Sequence, residues 1–193
     1  MTAAFSSLLR EVRACRLCEA ALPFPPKPVL RASATARIVL IGQAPGMRVQ
    51  ETGIPWNDAS GKNLRAWLDL DDATFYDESR IAIVPAGFCY PGKGRSGDLP
   101  PRPECAPKWH AALLRQMPKV ETILLLGRYA QAHYLEARLR PTLTETVRAW
   151  REFAPRFYPL PHPSPRNRLW LRKNPWFEEE VVPAVRAAVH ACL

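Results

Sequence analysis

Four short apolar runs, each followed by a loop and then a helical pattern, constrain this chain more than any other feature. Residues 37–41 (Arg-Ile-Val-Leu-Ile), 80–84, 121–126 and 155–160 are dominated by aliphatic, aromatic and β-branched side chains and are too short for helices. Each reads as a buried strand, the last more weakly than the others. Helical patterns fill the gaps. Residues 5–19 place Leu8, Leu9, Val12 and Leu17 on one side, and the prolines at 23–28 end that helix. Ser60 is positioned to cap a helix carrying Leu64, Trp67 and Leu68 on one face. Residues 104–117 and those from Gly127 to about Arg138 continue the alternation. A last helix starts at Asn174-Pro175, and Pro183 is expected to kink it. Strands alternating with helices imply a mostly parallel sheet covered on both faces. Ligands bind such sheets at loops after the carboxyl ends of strands. Segments 42–46, 85–95 and 161–167 occupy positions of that kind.

The chain has 193 residues, which suggests one domain over 1–193. With 47% hydrophobic and 23% charged residues, wholesale disorder is excluded. No apolar run approaches the roughly 18–20 residues of a membrane helix. The first 20 residues carry Arg10, Glu11, Arg13, Arg16 and Glu19, unlike a signal peptide, so a cytoplasmic location is expected. Lys plus Arg exceeds Asp plus Glu by 27 to 18, a net charge of +9. That surplus suits a polyanionic partner, most simply nucleic acid, and equally suits a solvated basic surface.

Five cysteines stand at 15, 18, 89, 105 and 192. Cys15 and Cys18 form a C-x-x-C whose spacing, on a helix or helix end, puts both sulfurs on one side. Cys89 and Cys105 flank one Pro/Gly loop. In a cytosolic protein structural disulfides are disfavoured, which leaves zinc, an iron–sulfur cluster, redox chemistry or plain buried thiols. Four thiolates without a nearby His suit zinc or a [4Fe–4S] cluster. Cys192 reads as a bystander.

Three features together resemble the uracil-DNA glycosylase superfamily. One is Gly42-Gln43-Ala44-Pro45-Gly46, followed by Thr52-Gly53-Ile54-Pro55-Trp56-Asn57-Asp58-Ala59-Ser60-Gly61. Another is His162-Pro163-Ser164-Pro165-Arg166-Asn167. The third is the cysteine layout, which is similar to the iron–sulfur branch of that superfamily. The resemblance implies a three-layer α/β/α sandwich with a central four-stranded parallel sheet, monomeric by default. It implies a monofunctional glycosylase of base-excision repair that flips a deaminated base, uracil first, out of DNA and hydrolyses its N-glycosidic bond. It also implies a [4Fe–4S] cluster on Cys15, Cys18, Cys89 and Cys105, which supports loops near the DNA groove.

The same resemblance distributes roles. His162, as a neutral imidazole, would donate to a base carbonyl and stabilise the leaving anion. Gln43 stands where the branch carries Glu, so it can position water or read a base edge and cannot act as a general base. Ala44 stands where other branches carry Asp. Gly46 lets the backbone approach the ligand. Trp56 aligns with the aromatic that stacks on the flipped base. Asp58 would orient or activate water, or else serve as a helix N-terminal Asp. Ser164 would contact phosphate, with Arg166 and Asn167 beside it; Arg166, Arg168 and Leu169 are candidates for the wedge that fills the gap. Lys93, Arg95 and Arg102 would meet phosphates. Pro85 falls where many members carry an Asn that reads the base, so either Asn57 or the backbone of 86–88, Phe88 included, substitutes, or the substrate is another base. The departures at Gln43, Ala44 and Pro85 also fit a different kind of protein, a non-catalytic DNA-binding module that keeps the fold and cluster. A third reading is a redox or structural metal protein whose positive charge is incidental.

Overall fold

A computed structural model describes residues 3–193. The four apolar runs form one parallel sheet of β1 (Ile38–Ile41), β2 (Ile81–Ile83), β5 (Thr122–Leu126) and β6 (Phe157–Leu160), in the order β2-β1-β5-β6. Ile38 pairs with Ile81 on one side and with Thr122 on the other, and Ile123 pairs with Phe157. Strand side chains alternate between faces, and both faces are covered. Val39, Ile41, Ala82, Ile123 and Leu125 pack into one cluster with α1 (Ala3–Arg13), α5 (Cys105–Arg115) and α6 (Arg128–Leu135). Ile38, Leu40, Ile83, Leu124 and Leu126 pack into the other with α3 (Ala59–Leu68), Phe75 and α9 (Val182–Ala191). The expected three-layer α/β/α sandwich is therefore correct. Truncating one of these fully buried leucines, Leu124→Ala for example, removes about 2–5 kcal/mol of stability.

The sheet edges are managed locally. Arg31 and Ile83 exchange main-chain hydrogen bonds of 3.0 and 2.7 Å in an antiparallel bridge that covers the outer side of β2. At the other edge β6 tolerates Pro159, whose missing N–H would disrupt a central strand.

Several boundaries differ from those the sequence suggests. The first helix ends at Arg13, because the Cys15 N–H bonds to Val12 O and tightens the chain out of the α-helix. Leu17, which continues the apolar pattern, is exposed, and Cys15 and Cys18 lie in turns before a 3₁₀ turn at Glu19–Ala21. Asp58 rather than Ser60 caps α3, its Oδ1 accepting from Gly61 N at 2.8 Å. The loop after β2 contains a hairpin, β3 (Lys93–Gly94) with β4 (Gly97–Asp98). Three short helices were not anticipated: α2 (Met47–Thr52), α4 (Asp72–Phe75) and α7 (Leu143–Arg148), the last with a Thr142/Glu145 capping box. The basic segment after His162 is also helical, as α8 (Arg168–Lys173). Pro183 falls in the first turn of α9, where its missing N–H costs little, and a π-helical turn at Phe177–Val181 leads into it. No described helix is long and apolar enough to cross a membrane.

Candidate active site

A cavity of about 490 Å³ opens at the carboxyl ends of the strands. The loops after β1, β2 and β6 build it, together with the β3–β4 hairpin. Of the sequence-derived candidates, Gln43, Ala44, Gly46, Trp56, Asp58, His162, Ser164, Arg166 and Asn167 line it. Asn57 and Phe88 do not.

The Trp56 wall is tightly determined. A Cβ on Gly42 would stand 2.8 Å from the Trp56 indole, so glycine lets the ring lie against the β1 loop. Trp56 itself has φ of 59°, a left-handed conformation that costs a bulky residue about 1–3 kcal/mol and persists only where its surroundings enforce it. Those surroundings are specific. Arg65 Nη1 donates to Trp56 O at 3.3 Å, and the Tyr76 hydroxyl donates to Pro55 O at 2.9 Å. Arg65 is fixed in turn by its ion pair with Asp72 at 2.7 Å and by lying over the Phe75 ring.

His162 faces this wall, its ring centroid 5.6 Å from the indole. Gly127, with φ of 92°, lies beneath it; a Cβ there would be 3.4 Å from His162 Cβ. Asn167 Nδ2 donates to His162 O at 2.7 Å, and Asn63 Nδ2 donates to Pro163 O at 2.9 Å. Burial holds the imidazole pKa below its ordinary value, opposed in part by the Asp58 carboxylate. The ring is therefore neutral at neutral pH and carries one N–H donor. Asp58 caps α3 and also lines the cavity near His162.

The β1 and β2 loops are stitched together. Ala86 N donates to Gly42 O and Gly87 N to Gln43 O, both at 2.9 Å. These two amides are thereby committed to the β1 loop. Phe88 is 1% exposed and packs in the core, stacked on His110 at 5.7 Å. The Gln43 side chain reaches Leu99 O at 3.3 Å. Ser164 Oγ accepts from Arg166 N at 3.3 Å, capping a 3₁₀ turn. Arg166 Nη1 donates to Ser96 O at 3.0 Å, tying the hairpin to the His162 loop, and this holds Arg166 in the cavity wall. Leu169 on α8 is 62% exposed. Arg102 is paired with Glu104 at 2.6 Å, whereas Lys93 and Arg95 lie on the hairpin.

Two groups escaped the sequence reading. Asp98 lines the cavity and hydrogen-bonds the Tyr90 hydroxyl, whose pKa burial, and then Asp98, push up. Nothing in a Pro/Gly-rich loop marks one acidic residue over another. His110, 1% exposed, hydrogen-bonds through both ring nitrogens. A lone His in a helix otherwise patterned for the core was its sole signal.

Cys15, Cys18, Cys89 and Cys105 line one narrow recess with Phe88 and Arg102. Burial raises the thiol pKa of Cys18, Cys89 and Cys105, that of Cys105 to about 12. Among the described residues no three such side chains converge on a single-ion site. Cys192 lies elsewhere, against Glu121 and Thr122.

The model of the Uracil DNA glycosylase superfamily matches residues 31–186, well over half of the chain.

Proposed function

Taking as premise that the chain belongs to the Uracil DNA glycosylase superfamily, whose members are DNA glycosylases, we propose that it excises a deaminated base, uracil first. The observation that carries this reading is the neutral His162 beside Trp56 and Asp58 in one cavity. A flipped base enters and stacks on Trp56. The C1′–N bond breaks with its electron pair moving onto the base, and the His162 N–H donates to the base carbonyl where that charge collects. A water held by Asp58, with Gln43 beside it, adds its oxygen to C1′. The proton it releases passes to Asp58 and from there, through solvent, to the base anion as it leaves, which restores the carboxylate. Ser164 and Asn167 hold the His162 loop against the backbone of the nucleotide. The surplus cations around the cavity suit DNA as the partner.

Four thiols without a histidine line this one recess, a donor set that suits a [4Fe–4S] cluster. Cys15, Cys18, Cys89 and Cys105 would hold the cluster, which would supply a structural tie between the N-terminal turns, the β2 loop and α5.

Base release from matched oligonucleotides carrying uracil, hypoxanthine, xanthine or no lesion tests this, with wild type beside His162→Ala. Release from one lesion that drops by about 10²–10³-fold in the variant, as for loss of an oxyanion donor, is the expected outcome. DNA binding without release from any lesion, by protein carrying its metal centre, would replace the proposal with the non-catalytic binding module.

A further inference from the structure

His110, on α5, takes no part in the chemistry above, yet both of its ring nitrogens are engaged. Nδ1 lies 2.7 Å from the Tyr134 hydroxyl and Nε2 lies 3.1 Å from the Pro85 carbonyl oxygen. A carbonyl only accepts, so Nε2 carries the proton. In the neutral ring Nδ1 is then an acceptor, and Tyr134 donates to it. Burial agrees with the neutral form, holding the pKa near 4. A one-way chain of donors thus runs from α6 through α5 to the cavity wall.

Its end point matters. Pro85 lines the cavity and has neither an N–H nor a polar side chain, so the carbonyl is its one hydrogen-bonding group. Beyond it, the Ala86 and Gly87 amides bond to the β1 loop, and Phe88 O accepts from Val29 N at 2.8 Å. The Phe88 ring stacks on His110. His110 therefore touches this strap at both ends. Buried polar side chains are tolerated in an apolar core only when partnered, and here the partner chain leads to the base pocket.

We propose that His110, backed by Tyr134, is the positioning residue that fixes the cavity wall at Pro85 against the flipped base. The part concerning the base rests on the glycosylase reading. The part concerning the wall does not.

Three variants test it. His110→Phe keeps a ring and removes the donor. His110→Gln keeps an N–H near the reach of Nε2. Tyr134→Phe removes the hydroxyl alone. Amide exchange at Ala86 and Gly87 is measured against the β1 amides, and base release is resolved into KM and kcat. In His110→Phe the two amides should exchange at least about tenfold faster. KM should rise about tenfold with kcat within about twofold, as for loss of one hydrogen bond that acts on binding. His110→Gln should restore both. Unchanged exchange and KM in folded His110→Phe would overturn the proposal, as would a fall in kcat at constant KM. If His110→Phe does not fold, Tyr134→Phe decides by the same readouts. If the wild type releases no base, the glycosylase reading fails, and amide exchange alone still judges His110.

Discussion

Gly61→Ala separates the requirements of the fold from those of the cavity. Gly61 lies in the first turn of α3, where alanine would by itself favour the helix by about 1 kcal/mol. Its Cβ, however, would stand 1.7 Å from Trp56 O, 2.6 Å from Trp56 C and 2.9 Å from Trp56 Cβ. The two closest atoms are backbone, so no rotamer change relieves the contact. The Trp56 peptide must retreat until the 1.7 Å contact exceeds 3.0 Å, the closest approach that real Cβ atoms make. That retreat strains the Arg65–Trp56 hydrogen bond at 3.3 Å and carries the indole away from its 5.6 Å approach to His162. Overpacking costs about 1–3 kcal/mol, so after the helix gain the net loss is about 0–2 kcal/mol. At about 2–4 °C per kcal/mol for a chain of this size, Tm falls by less than about 8 °C. Base release should suffer far more, because displacing a positioned group by about 1 Å costs on the order of 10²-fold. Single-turnover release at saturating enzyme, beside thermal denaturation, reads the two effects separately. Release within about threefold of wild type would refute the idea that the position of Trp56 governs the chemistry.

Other consequences follow from the same geometry. His110 has a folded pKa of about 4 against an ordinary 6.5, so as pH falls the unfolded chain takes up the proton first. Stability is then full above about pH 6.5 and falls by up to about 1.4 kcal/mol per pH unit towards pH 4. Urea midpoints at pH 7 and pH 5 should therefore differ more in wild type than in His110→Gln, and equal differences would contradict the burial argument. Cys89→Ser, purified without oxygen, should lose iron and the thiolate–iron absorbance near about 400 nm; a colourless, zinc-loaded wild type would sink the cluster assignment. Pro85→Asn returns an amide to the cavity wall. Sites that read hydrogen bonds discriminate far more strongly than apolar walls, so the ratio of kcat/KM between uracil and hypoxanthine should widen at least about tenfold. An unchanged ratio would show that this wall does not face the base edge.

The sheet was legible because its strands are buried on both faces, and continuous apolar runs such as 122–126 need no alternation to declare themselves. The helices capping its edges were harder. α7 depends on a Thr142/Glu145 capping box in a segment with few apolar residues, and α8 is so basic that charge masked its helical spacing. In the cavity, short motifs exposed the residues contributed by single loops: Gln43, Trp56 and His162. Residues whose place depends on contacts between loops were not legible. Asp98 enters the cavity because a hairpin folds back, and the contact that holds Arg166, a residue its motif did expose, comes from Ser96 O, 70 residues away. Phe88 was misplaced for the same reason: its partner, His110, lies on another element.

Of the 27 Lys and Arg side chains behind the net charge of +9, some are held in ion pairs and others are not. Arg16, Arg31, Arg37, Arg65, Arg80, Arg102, Arg140 and Arg151 each pair with a carboxylate. Arg48 on α2, Lys93 and Arg95 on the hairpin, and Arg168, Arg172 and Lys173 on α8 form no ion pair among the described residues. Each of these lies on an element that adjoins a cavity-lining loop. Uncompensated positive charge around a concave mouth attracts a phosphate backbone over a distance of about one Debye length. The placement of these cations around the cavity mouth therefore suits the DNA on which the superfamily acts.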